Sequence, residues 1–84
     1  MAGERILVVE DEAIVARDLT VSLECAGYRV VGPACDGAEA IRLARQIPFD
    51  AVLIDISLQR ELDGLQTAEA IRSIVAAQII YLTD

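Results

Sequence analysis

Acidic side chains stand at the ends of apolar stretches that have the length of buried strands. Glu10 and Asp11 follow an apolar run that ends at Val9, and in residues 51–56 five apolar residues surround Asp55. An unpaired charge in a buried strand costs several kcal/mol or loses its charge. Asp55 therefore either faces water or caps a turn at the strand end, or is a reactive or metal-binding carboxylate where open α/β sheets bind ligands.

A hydroxyl group could join these acids, because Thr83 follows a further apolar run over residues 79–82. The carboxyl ends of parallel strands lie at one edge, so the right strand order would bring Glu10, Asp11 and Asp55 to this hydroxyl. Two carboxylates about 4 Å apart repel by about 4 kcal/mol at an effective dielectric constant near 20, so such a group needs a cation or a proton. Oxygen ligands with room for water suit Mg²⁺ better than Ca²⁺, and a metal beside a carboxylate supports phosphoryl transfer.

Alternating strand and helix patterns predict the scaffold that would position these groups. Strands are expected over 5–9, 28–32, 51–56 and 78–83, and helices over 13–26, from 36–37 to before Pro48, and over 65–75. Pro33 is expected to close the second strand. Strands that alternate with helices form a parallel sheet through right-handed crossovers. The sequence therefore predicts a single α/β domain over residues 1–84.

Composition narrows the classes of function. The chain has 14 acidic residues and 7 basic ones, all arginine, and its net charge of −7 argues against direct binding of nucleic acid or an anionic membrane. It lacks a long apolar span and a signal peptide pattern, so a cytoplasmic location is expected. Without His there is no Ser-His or Cys-His machinery. Cys25 and Cys35 lack metal-ligand spacing, and partly buried, reduced thiols are expected.

Four stretches together resemble the receiver domain of two-component response regulators. They are ILVVEDE over 6–12, VLIDISL over 52–58, Asp63-Gly64, and IIYLT over 79–83, in this order and spacing. The resemblance covers essentially the whole chain. It implies a flavodoxin-like doubly wound parallel sheet of order 2-1-3-4-5. Strands 1–4 and helices 1–3 are present in this sequence, and the final helix, strand and helix are missing.

The resemblance also implies roles for individual residues. Asp55 would be the phosphoacceptor, a nucleophile that forms an acyl phosphate, and would also lie at the metal. Asp11 would bind Mg²⁺ directly, Glu10 would help through a water molecule, and the backbone carbonyl of Ser57 would be a further ligand. Thr83 would turn inward to the phosphoryl group as the switch hydroxyl. The partner would be a sensor histidine kinase or a phosphotransfer protein.

The sequence departs from the family in places that affect function. It contains no lysine, whereas the family uses one at the end of strand five to pair with the acceptor, and Asp84 stands where the family prefers a small residue. The pair Asp63-Gly64 would set the loop before the third helix and is given no catalytic part. The chain would accept a phosphoryl group, and at most catalyse its own phosphorylation and dephosphorylation, without being a classical enzyme.

A second function class stays open on the sequence alone. A receiver without its last elements would expose strand 78–83 as an edge, which is a template for pairing with another chain. The alternative is therefore a non-catalytic interaction or oligomerisation module. Two other classes fit poorly. Aspartate-nucleophile phosphatases carry a D-x-D pattern after strand one where this chain has Glu10-Asp11-Glu12, and no phosphate loop for a flavin follows that strand.

Overall fold

The computed structural model describes residues 3–56 and 64–82. Within them the elements alternate as β1 (Arg5–Val9), α1 (Ala13–Cys25), β2 (Arg29–Ala34), α2 (Gly37–Gln46), β3 (Ala51–Asp55), α3 (Gly64–Ile74) and β4 (Gln78–Leu82). All strand pairs are parallel, and the sheet order is β2-β1-β3-β4. The predicted α/β class and the 2-1-3-4 order of the doubly wound sheet are confirmed.

Successive strand residues point to opposite faces of the sheet, so helices can cover the apolar side chains on each face. Helices α2 and α3 pack on each other and on one face, and α1 packs against β1 and β2. The core between the sheet and the α2–α3 layer is aliphatic, and its fully buried large members are Leu7, Val9, Val52, Ile54 and Ile71. Burial of each such side chain stabilises the fold by about 1.5–3 kcal/mol. No helix in the described ranges is long and apolar enough to cross a membrane.

Strand β2 differs from its prediction, because it passes through Pro33 and ends at Ala34. The Gly32–Pro33 peptide is cis, Gly32 has φ of +93°, and the register against β1 shifts after Leu7. A Cβ at Gly32 would lie 2.6 Å from the amide nitrogen of Ala34, so this position needs glycine. The extra strand residues matter for the acidic edge, since the carbonyl of Ala34 accepts the N–H of Glu10 at 2.9 Å.

The other boundaries lie within one residue of their predictions, as far as the described ranges extend. Helix α1 ends beside Gly27, whose φ of +99° breaks the helix as expected for a glycine stop. Asp36 caps α2 through its carboxylate, which accepts the N–H of Glu39 at 2.9 Å. The expectation for the cysteines was wrong in one respect, because both thiols are free but exposed rather than partly buried.

A buried hydroxyl on α3 yields a test of packing. Thr67 is fully buried, and its Oγ1 has no hydrogen-bond partner among the described residues, whereas the Thr20 hydroxyl donates to the Ala16 carbonyl at 2.8 Å. An unsatisfied buried polar group costs about 1–3 kcal/mol. We expect Thr67→Val, which keeps the shape, to raise the free energy of unfolding by about 1 kcal/mol in urea denaturation. Thr20→Val should lower it, and a loss of stability in both variants would contradict this account.

Candidate functional site

The ends of β1 and β3 bring together the acids that the sequence singled out. The two strands pair up to Val9 opposite Ile54, so the residues that follow lie side by side at the carboxyl edge. Glu10, Asp11 and Asp55 each contribute one carboxylate oxygen to a group in which all three oxygens lie within 4.8 Å of one another. Residues 45 positions apart in sequence thus share one site, which we call the acidic cluster.

The members of the acidic cluster differ in burial. Glu10 is 3% exposed and Asp55 is 7% exposed, whereas Asp11 is half-buried. Asp55 therefore does not face water at the strand end, and that interpretation of the residue was wrong. Because charged carboxylates are rarely buried without compensation, the burial of two adjacent acids indicates a site built for a positive partner.

The electrostatics of the acidic cluster are most visible at Glu10. Burial raises the pKa of its carboxyl, and the N–H of Glu12 that donates to Oε1 at 3.0 Å lowers it. Hydrogen bonding with Asp55, repulsion from the Asp55 charge and hydrogen bonding with Asp11 raise it further. The net result is a pKa of about 7, against an ordinary value of 4.5. Near neutral pH Glu10 therefore carries a proton for much of the time, and a cation would displace it.

The backbone around the acidic cluster is held by strand bonds on both sides. Glu10 is anchored to β2 through Ala34, as described above, and β3 pairs with β4 up to Asp55 opposite Leu82. One residue further, the N–H of Ile56 donates to the Leu82 carbonyl at 3.2 Å. Side chains on such bonded strand ends have little freedom to move apart, so the carboxylates are preorganised.

The donor set of the acidic cluster fits a hard divalent cation. Its three oxygens are carboxylate oxygens, and no His or Cys belongs to the group in the described ranges. Mg²⁺ prefers such ligands and keeps several water molecules, which the half-exposed side at Asp11 allows. The other residues given roles by the resemblance, Ser57 and Thr83, lie outside the described residues, as do Asp63 and Asp84.

A cavity that the sequence did not indicate opens beside the acidic cluster. Its volume is about 430 Å³, and Glu10 and Asp11 are among the residues that line it. Arg17 of α1 and Cys35 after β2 also line it. The sequence predicts only a partly buried, reduced thiol for Cys35 and gives Arg17 no part in a site. No pattern in the sequence places them together, because the extension of β2 beyond Pro33 creates the wall.

Comparison with known proteins identifies the family to which this chain belongs. The chain is 42% identical over 79 residues to the transcriptional regulatory protein PdtaR of Mycobacterium tuberculosis. The aligned residues make up 94% of this chain and 38% of that protein. The chain therefore spans well under half the length of this curated relative.

Solved structures give the same result. The signal receiver domain of a modulated diguanylate cyclase from Desulfovibrio desulfuricans superposes with a TM-score of 0.92 at 37% identity, over 96% of this chain and 65% of that chain. The response regulator TrrA from Thermotoga maritima, solved in complex with Mg²⁺ and BeF, gives 0.87 at 36% identity, over 95% of this chain and 69% of that one. The family model for the response regulator receiver domain matches residues 6–84. The chain belongs to the receiver domain family of response regulators.

Proposed function

We propose that this receiver takes a phosphoryl group on Asp55 from a histidine kinase or phosphotransfer protein, in a reaction that depends on Mg²⁺. Family membership places the chain in two-component signalling. The main support for Mg²⁺-dependent phosphorylation of Asp55 is the position of its buried carboxylate, which has an oxygen within 4.8 Å of oxygens of Glu10 and Asp11. A nucleophile beside a cation site is the arrangement that phosphoryl transfer requires.

Each acid has a distinct part in the proposed reaction. An ionised Asp55 oxygen attacks phosphorus, the bond from phosphorus to the donor's imidazole nitrogen breaks, and the donor takes up a proton. Asp11 and Glu10 would hold Mg²⁺, with Glu10 giving up its proton as the ion binds. When bound, Mg²⁺ neutralises charge on the phosphoryl oxygens. The burial of Asp55 keeps bulk water from the acyl phosphate.

Intact mass after incubation with acetyl phosphate and Mg²⁺ tests the proposal. We expect a single phosphoryl adduct on the parent chain and none on Asp55→Asn. Asp36→Asn is the matched control, because Asp36 follows β2 outside the acidic cluster and Asn also caps helices. This control should be modified as fast as the parent chain. An adduct that persists on Asp55→Asn would place the acceptor elsewhere and refute the assignment.

A second candidate, the interaction module, is favoured by the surface of β4. This strand is an edge of the described sheet, and it exposes 43% of Ile80 and 39% of Tyr81. An exposed apolar edge strand is a template for pairing, and we propose self-association through β4. Sedimentation of the parent chain and Asp55→Asn tests it: both should associate, and a monomer at high micromolar concentration would refute it.

The cytoplasmic location and the absence of classical enzyme activity stay predictions.

A further inference from the structure

Helix α3 begins in direct contact with the strand end that carries Asp55. A Cβ atom at Gly64 would lie 2.5 Å from the Asp55 carbonyl oxygen and 2.5 Å from the Ile56 Cα. It would also lie 3.1 Å from the Asp55 carbonyl carbon, whereas ordinary van der Waals contact begins at 3.4 Å. Only hydrogen therefore fits at this position.

Space, and not backbone conformation, requires glycine at this point. The positive φ angles of the described residues belong to Gly3, Gly27 and Gly32, and Gly64 is not among them. An alanine at position 64 could adopt the backbone angles without strain. Any loss of activity or stability in an alanine variant must therefore come from the contact of its Cβ with the backbone of residues 55 and 56.

The two sides of this contact are held unequally. On the helix side, Thr67, Ala68 and Ile71 are all fully buried and fix α3 against the core. On the strand side, Asp55 lies beyond the last described β1–β3 pair, and its strand pairing there is with Leu82 of β4, an edge strand of the described sheet. Because the packed helix resists movement, a side chain at position 64 displaces the backbone of Asp55.

We propose that Gly64 is a positioning residue for the phosphoacceptor, an inference that rests on the proposed function of Asp55. The absence of a side chain lets α3 seat against β3 while the Asp55 carboxylate stays beside Glu10 and Asp11. Relief of the clash needs a movement of about 1 Å, and misplacement on this scale can reduce a reaction rate by about 10²-fold. The sequence had indicated only a turn before the helix for Asp63-Gly64.

Gly64→Ala in the full chain tests the proposal, with Val31→Ala as control. Val31 is buried in β2 at the opposite edge of the sheet, so its truncation lowers stability without touching Asp55. We expect Gly64→Ala to slow phosphorylation by acetyl phosphate about 10²-fold and to weaken Mg²⁺ binding. Val31→Ala should melt at a lower temperature and keep the parent rate and affinity when measured well below that temperature. A parent-like rate in Gly64→Ala would overturn the proposal.

A structural readout separates this inference from the proposed function. If the parent chain takes up no phosphoryl group, the proposed function fails, and the position of Asp55 can still be measured. A crystal structure of metal-free Gly64→Ala should then show the Asp55 carboxylate displaced from Glu10 by about 1 Å. An unmoved Asp55, with α3 shifted instead, would show that Gly64 serves helix packing only and would overturn the inference.

Discussion

Replacement of Asp11 by Asn is expected to weaken Mg²⁺ binding by at least about 100-fold, since loss of outer-shell partners alone costs about 10–100-fold. Asp11 supplies one of the three clustered carboxylate oxygens and is the most exposed of the three acids, so it is the ligand that an incoming ion meets first. The amide keeps a neutral oxygen but removes a full negative charge from the site. Calorimetric titration of the parent chain and of the variant with Mg²⁺ gives both affinities.

The same substitution should change stability in opposite directions with and without metal. In EDTA, Asp11→Asn removes one of three carboxylates whose oxygens lie within 4.8 Å of one another, so the melting temperature should rise. In saturating Mg²⁺ the parent chain gains stability from the bound ion and the variant gains less. Asp18→Asn, at an exposed position of α1, is the control and should change neither value. A variant that keeps the parent affinity would place the ion outside the acidic cluster.

The fold could be predicted from the sequence because apolar runs identify the strands and helical spacing identifies the helices. Each strand is a short aliphatic stretch, and the alternation with helices leaves a parallel sheet as the solution. The convergence of Asp55 with Glu10 followed from the rule that parallel strand ends share an edge, combined with a strand order that came from the family resemblance. The structure then placed both residues there.

Other features of the site depend on distances that no local pattern encodes. Proline normally ends a strand, yet β2 continues through Pro33 because Gly32 adopts a positive φ and the register shifts. The sequence also does not show that Glu10 and Asp11, neighbours after β1, differ in burial. The hydrogen bond from Glu10 to Ala34 keeps Glu10 within the sheet edge, where it is buried, and leaves Asp11 half-exposed.

The second large effect concerns pH, because burial in the acidic cluster raises the pKa of Glu10 from 4.5 to about 7. Between these values the folded protein keeps a proton that the unfolded chain has released. Stability falls as pH rises wherever the folded state binds more protons. The free energy of unfolding of the metal-free protein should therefore fall by about 3 kcal/mol from pH 4.5 to pH 7, and level off above that.

Glu10→Gln isolates this effect, since the amide resembles the protonated acid at every pH. Urea denaturation in EDTA at several pH values between 4.5 and 8 should show the decline in the parent chain and a flatter profile in the variant. Equal slopes in the two proteins would show that another group carries the proton and would contradict the assignment to Glu10.

Binding of Mg²⁺ should show the opposite trend with pH. Below pH 7 the ion must displace the proton of Glu10, so the apparent affinity of the parent chain should fall by up to about tenfold for each unit of pH. Above pH 7 the affinity should be constant, and Glu10→Gln should bind more weakly with little pH dependence. Since the same proton stabilises the metal-free fold and opposes metal binding, the two profiles must bend at one pH. If the stability of the metal-free protein levels off at a different pH from that at which the Mg²⁺ affinity becomes constant, Glu10 does not link the two profiles.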